Sequence, residues 1–266
     1  IMTQRNPGTA ARPPAAVAEG NAARPRNRLL AALPRKEWAL LRPHLRHHHY
    51  RFKEMVIAAD TPMREVLFPE TGCVSLMVTL LDGAAAEVGL AGREAMIGLP
   101  LLLGTDRSKV DVQWQSDGSA LRLDAGAFRA ALGTSEAFRA RMLLYAMAHT
   151  MQVSQIAACN GRHALRRRLA RWLLMAHDRV EADEFSMTHD LLAVMLGVRR
   201  GSVSLAAASL RRDGLIRHAG GRMRILDRRG LEAAACECYA AVRQETERLL
   251  GGDPVPAAPD RGKHVR

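Results

Sequence analysis

The sequence predicts an α+β chain in three parts: a β jelly roll over residues 27–134, one long helix over 135–160 and a winged helix-turn-helix over 161–250. Three observations carry this. From His47 to Leu123, short apolar runs alternate with turn residues at the spacing of an antiparallel sandwich. After Gly133-Thr134 the turn residues vanish for 26 positions. Ala193, Gly197 and Val203 then fall at the spacing of two crossing helices, followed by a strand, a Gly-Gly turn and a returning strand.

Tails of Pro, Ala, Gly and charge without periodicity flank these parts at 1–26 and 251–266, and both read as disordered. Short helices follow at Asn27–Leu33 and Pro34–Leu41, the second stopped by Pro43. Strands are expected at Val66–Phe68, Val74–Val78, Val110–Val112 and Ala120–Leu123, with Asp82-Gly83 and Asp117-Gly118 at hairpin spacing. The long helix, roughly 35 to 40 Å at 1.5 Å per residue, carries a stripe of Phe138, Met142, Tyr145, His149, Gln152 and Ile156. That stripe is longer than a small sandwich needs for cover, so it is expected to pack against a second copy of the chain. A further helix at His163–Val180 buries Leu165, Leu169, Trp172, Leu173 and Ala176, with Arg166, Arg167, Arg168 and Arg171 around the rest.

The 266 residues carry a formal charge of +12. Residues 160–250 hold 17 Lys and Arg against 11 Asp and Glu, whereas 29–159 hold 14 against 13. The basic third therefore points to a polyanionic partner. No apolar run approaches the roughly 18 to 20 residues needed to cross a bilayer, so no membrane partner is expected. Four scattered cysteines do not make a disulfide scaffold, which fits a reducing cytoplasm. No Gly-x-Ser-x-Gly, P-loop, Gly-x-Gly-x-x-Gly or His-Glu-x-x-His occurs, and catalysis is not expected.

Thr188 caps the first helix of the turn motif, whose inner face is Leu191, Leu192, Met195 and Leu196. Gly197 turns the chain, and the second helix, Arg199–Asp213, points Val203, Ala206, Ala207 and Leu210 inward. Leu215–His218 and Arg222–Leu226 form a wing whose Arg217, Arg222 and Arg224 can face phosphate. One last helix is expected from Asp227 through Glu232 to about Leu249.

The run from Thr188 to Val203, continued through Gly214-Leu215-Ile216, resembles the winged helix-turn-helix of the Crp/Fnr family of bacterial transcription regulators. The resemblance extends over residues 27–250 through the order of sandwich, long helix and DNA-binding domain. It implies a homodimer on a two-fold symmetric operator in double-stranded DNA, an unknown small-molecule effector and RNA polymerase as a partner. The family's base-reading arginine falls on Arg200; the glutamate that often follows it is Gly201, and a second reading arginine is Leu205. Arg199 and Ser202 match positions near phosphate, and Thr188, Ser204, Arg217 and Arg222 complete the expected DNA-binding set.

In cyclic-nucleotide-binding relatives a Gly-Glu pair holds the ribose and an Arg-Ser pair the phosphate. Here Gly98 is followed by Leu99-Pro100, and only Arg107-Ser108 stands near the place of the phosphate pair. Cyclic AMP binding of the usual kind is therefore not expected. No cysteine precedes Cys73, which speaks against an N-terminal iron–sulfur cluster. Cys236-Glu237-Cys238 is placed on a helix, where the two thiols diverge, and neither it nor His47-His48-His49 is expected to bind metal, so no cofactor is expected. Met142, Met147 and Met151 read as packing, and Arg166–Arg168 as either a solvated face or a DNA contact. The competing reading is a ligand- or metal-responsive protein-interaction module without specific DNA binding.

Overall fold

The computed structural model describes residues 24–180 and 182–251. The expected tails lie outside them, except for 24–26 and Gly251. Those few N-terminal residues are held down: Arg24 donates to the Ala31 carbonyl at 2.9 Å and the Arg26 amide to Glu70 at 3.2 Å.

Asn27 starts the fold. Its side-chain oxygen caps α1 (Arg28–Ala31) by accepting from the amides of Leu29 and Leu30. Its amide group donates to the carbonyls of Pro69 and Ala95, so a fully buried polar side chain is satisfied on both ends. α2 (Arg35–Leu41) runs into a 3-10 turn at Arg42–His44.

Two antiparallel sheets then face each other. One orders β1 (Leu45–Tyr50), β7 (Gly118–Asp124) and β3 (Glu65–Thr71). The other orders β2 (Met55–Ile57), β6 (Asp111–Trp114), β4 (Val74–Thr79) and β5 (Ala85–Ala91). Val66, Phe68, Trp114 and Leu123 fill the space between them with essentially no exposure. Asp82-Gly83 makes the expected hairpin between β4 and β5. Asp117-Gly118 does not: it lifts the chain from the four-stranded sheet to the three-stranded one. A Cβ on Gly118 would stand 2.4 Å from the Trp114 ring and 2.5 Å from the Thr71 carbonyl, so only glycine permits that crossing. β2 and β5 were not expected, since neither alternates cleanly. His47, His48 and His49 lie exposed along β1.

After the single turn of α3 (Leu99–Leu102), a helix that the sequence concealed behind Gly126 and Gly133, α4 (Ala125–Thr134), is capped by Asp124 and buries Phe128. α5 (Glu136–Arg162), capped by Ser135, is about 40 Å long and runs through Gly161, two residues past its expected end at Asn160. Its expected stripe faces inward: Phe138, Met142, Tyr145, Gln152 and Ile156 are buried within this same chain, with His149 half-buried beside them. The face left open is a different one.

The rest of the chain comprises α6 (Leu165–His177), β8 (Glu184–Ser186), α7 (His189–Leu196), α8 (Arg200–Arg212), β9 (Ile216–Ala219), β10 (Arg222–Ile225), α9 (Arg228–Ala234) and α10 (Cys238–Leu250). The single final helix expected from Asp227 is thus two. Ala235 is extended, which turns α10 back along α5 and brings Leu250 into the core of the roll. The arginines of α6 are not all on a solvated face either: Arg168 and Arg171 are buried. Arg168 donates to the Leu196 carbonyl at the end of α7, and Arg166 bonds Ser209 on α8 and Asp213 just past its end. The second core joins α6, α7, α8 and the strands of the wing, and Cys73, Met77 and Leu90 of the roll belong to it. No single helix among the described residues is long and apolar enough to cross a membrane.

Candidate nucleic-acid interface

α7 and α8 meet at 107°, inside the ~90–120° of a helix-turn-helix. Thr188 caps α7 by accepting from the Leu191 amide at 3.2 Å. Gly197 ends it in the left-handed region, at φ 61°, ψ 44°, where a side chain would be strained. Val203, Ala206, Ala207 and Leu210 are buried against α6 and α7, as their spacing predicts. That inner face fixes which residues look out. Arg199, Arg200, Gly201, Ser202 and Leu205 are exposed at the start of α8, with Leu205 at 76%.

The wing alternates in the same way. Ile216, Met223 and Ile225 face the core, while Arg217, Arg222 and Arg224 face solvent, with Arg217 and Arg224 paired across the strands. β8 adds a third strand that the sequence reading missed, and its Glu184 pairs with Arg222. The exposed set thus comprises Thr188, Arg199, Arg200, Ser202, Leu205, Arg217 and Arg222. Ser204 departs from it. Its hydroxyl bonds His189 Nδ1 at 2.9 Å and the Arg200 carbonyl at 3.2 Å.

His218 stands in the expected wing, but its contact with His189 is not legible in the sequence. Their rings stack 4.3 Å apart, joining α7 to the wing, and His218 bonds the Met187 carbonyl. Burial, and then the neighbouring His218, hold His189 below the usual histidine range. Arg200 Nε lies 3.0 Å from Asp190, both side chains largely exposed. Such a pair is worth little in water.

A cavity of about 140 Å³ lies between the roll and α5, lined by Gly98, Ser108, Tyr145 and His149 among apolar side chains. Arg107 is not brought to it. Its guanidinium turns outward to the Asp60 carbonyl at 2.7 Å.

Residues 47–135 match the cyclic nucleotide-binding domain model, and residues 167–234 match the Crp-like helix-turn-helix domain model. The chain belongs to the Crp/Fnr family. Among solved structures, FixK2 of Bradyrhizobium japonicum is 19% identical at a TM-score of 0.62, the match covering 72% of this chain and 98% of that one. A CRP-family transcriptional regulator of Thermus thermophilus is 21% identical at 0.59, covering 79% and 100%. The c-di-GMP responsive global regulator CLP of Xanthomonas campestris is 17% identical at 0.58, covering 72% and 99%. At these identities the likeness is one of fold. No curated protein matches the chain.

Within this Crp/Fnr architecture the two halves are bonded together. Trp172 Nε1 of α6 donates to Glu87 of β5 at 2.7 Å, and Ser75 of β4 donates to the other oxygen of the same carboxylate. Burial pushes Glu87 up to about 7. Arg179 and Glu94 form a second, shielded link at 2.6 Å. At the far end of α5, Cys236 lies in the break between α9 and α10 and Cys238 opens α10, so the pair does not share a helix as expected, and there they meet Cys159 and His163.

Proposed function

We propose that this chain is a dimeric, sequence-specific DNA-binding transcription regulator in which the start of α8 enters the major groove. One observation carries the reading: Arg199, Arg200, Ser202 and Leu205 are exposed at the start of α8 in a domain whose wing, joined to α7 by the His189–His218 stack, turns its arginines to solvent, all within the basic third of the chain. Arg200 has the length and the planar fork to pair with guanine O6 and N7. Leaving Asp190 costs it at most about 1 kcal/mol, since both groups are already in water. Arg199, Arg217, Arg222 and Ser202 suit phosphate contacts that fix register. Leu205 offers an apolar contact to a thymine methyl, so the bases read here differ from those of relatives with an arginine at that position.

Pairing with a second copy is supported by the open face of α5. Leu143, Met147, Thr150, Ser154 and Ala157 are exposed and recur at alternating steps of four and three, the repeat of a two-helix seam. Two recognition helices held this way about 34 Å apart would read half-sites one turn apart. The sensor half is not a cyclic AMP site of the usual kind. A cavity of about 140 Å³ falls below the ~300 Å³ of small-molecule sites, and no carboxylate follows Gly98 to hold a ribose. The role is one of binding, not catalysis.

The test is selection of a preferred operator from random duplexes, followed by Arg200→Ala on that operator. Loss of about 1–3 kcal/mol with relaxed preference at one base pair per half-site is expected. Equal loss on every duplex would reduce Arg200 to a phosphate contact. A shallow dependence of affinity on salt would favour an acidic protein partner instead.

A further inference from the structure

We infer that Cys159, His163, Cys236 and Cys238 form a tetrahedral site for one divalent ion of the zinc class, set at the joint between the long helix and the winged domain. Cys159 lies in the last turn of α5, and His163, the extended residue that ends this helix, donates its amide to the Cys159 carbonyl at 3.0 Å. Cys236 lies in the non-helical break after α9 and Cys238 is the first residue of α10, so the two are not neighbours within one helix and their thiols escape the divergence such neighbours would show. All four ligand atoms lie within 4.8 Å of one another. Cys159 Sγ is 3.5 Å from Cys236 Sγ, and Cys238 Sγ is 3.5 Å from His163 Nδ1. Around one zinc ion, bonds of about 2.3 Å to sulfur and about 2.0 Å to nitrogen give tetrahedral edges of about 3.8 Å between sulfurs and about 3.5 Å between sulfur and nitrogen. The observed separations are of that size. They are too long for a disulfide, whose sulfurs sit at about 2.05 Å, and too short for a multi-iron cluster, which must seat its own sulfides between the thiolates.

The surroundings point the same way. With Nδ1 toward the sulfurs, His163 places Nε2 3.1 Å from Glu237 Oε1, the carboxylate support that orients a metal-bound imidazole. Gln155 donates to Cys238 Sγ at 3.1 Å. Arg171 is buried, and its Nε has no partner among the described residues. No carboxylate there lies within ion-pairing distance of it, yet its charge acts on Cys159, as that of Arg168 does on Cys159 and Cys236. One divalent ion with three thiolates and a neutral imidazole carries one net negative charge, which the charge of these two buried guanidiniums favours. Four protein ligands leave no open position, so the ion holds structure and does no chemistry. It ties the end of α5 to the start of α10 across the extended residues His163 and Ala164. That occupancy sets the placement of the recognition helix rests on the DNA-binding reading above; that the site binds metal does not.

The test uses the full chain, reduced, stripped with a chelator and titrated with cobalt(II) under nitrogen. One equivalent should produce the intense visible bands of tetrahedral cobalt and a near-ultraviolet thiolate charge-transfer band, both removed by one equivalent of zinc(II). Glu237→Gln should keep the spectrum and weaken binding by about 10- to 100-fold. Cys238→Ser should lose charge-transfer intensity, and Cys73→Ser, at a buried thiol of the roll, should change nothing. Only the weak spectrum of hydrated cobalt with excess metal, or equal loss in Cys73→Ser, would overturn the site. Equal affinity of apo and zinc-loaded chain for the selected operator would overturn the coupling. Absent duplex binding beside an intact cobalt spectrum would overturn the DNA-binding reading and leave the site standing.

Discussion

Glu87→Gln should stabilise the protein in alkaline solution and do little in acid. Glu87 is 5% exposed at the seam between β5 and α6. Burial raises it from 4.5 to about 7, against smaller opposing effects of the bonds from Ser75 and Trp172 and the charges of Arg171 and Arg179. A carboxyl raised on folding is held protonated more firmly by the native state, so stability is highest below the unfolded value. It falls as pH rises through the window between 4.5 and 7 and is level above it. At about 1.4 kcal/mol per unit, the full cost of ionising Glu87 is about 3 kcal/mol, of which about 1 kcal/mol is already present at pH 5. Glutamine has no charge to bury. Its carbonyl can accept from Trp172, and its amide can donate to the Ser75 oxygen, leaving the Ser75 hydroxyl for Met195 Sδ, which it already meets at 3.4 Å. Urea unfolding of both proteins followed by circular dichroism, at fixed chain concentration and at pH 5, 6, 7 and 8, reads the difference. The variant's gain should grow from about 1 to about 3 kcal/mol across the series. A gain that ignores pH, or a variant less stable at pH 8, would refute the buried-carboxyl argument.

Met147→Asp puts a charge in the middle of the open seam of α5 and should shift the chain from dimer to monomer in sedimentation without lowering its melting temperature by more than a few degrees; a wild-type chain already monomeric at micromolar concentration would dismiss the seam. Gly197→Ala forces a side chain into the left-handed region and should cost about 1–2 kcal/mol. Gly201→Ala, in open space on a helix, should be neutral or gain about 0.5–1 kcal/mol. Equal thermal shifts in the two would show that the turn conformation does not matter. Thr188→Ala should lose about 1 kcal/mol with the cap of α7, read in the same melts.

The winged part was legible because local chemistry decides it. A left-handed Gly197, a capping Thr188 and inward Val203 and Leu210 each demand their residue type, so spacing alone gave both helices and their outer faces. The roll was legible in kind but not in pairing. Asp117-Gly118 looks like any hairpin turn, and only the closeness of Trp114 and Thr71 shows that it crosses between sheets. On α5 the apolar stripe was visible, but sequence cannot say which of two apolar faces meets the chain's own core. Phe138 and Tyr145 went to the roll, and the smaller residues from Leu143 to Ala157 stayed outside. The thiol cluster was hidden for a related reason. Cys159 and Cys236 are 77 positions apart, and they meet only because α10 folds back.

That return of α10 has a mechanical result. Leu250 sits in the core of the roll and Glu247 reaches Arg28 at 2.6 Å, so the winged body is fastened where it begins, after α5, and again where it ends. Between those two ends the Trp172–Glu87 and Arg179–Glu94 links hold the same body against the roll. It is clamped along a whole side and does not hang like a weight on a string, so a push at the roll reaches the winged body at several places at once.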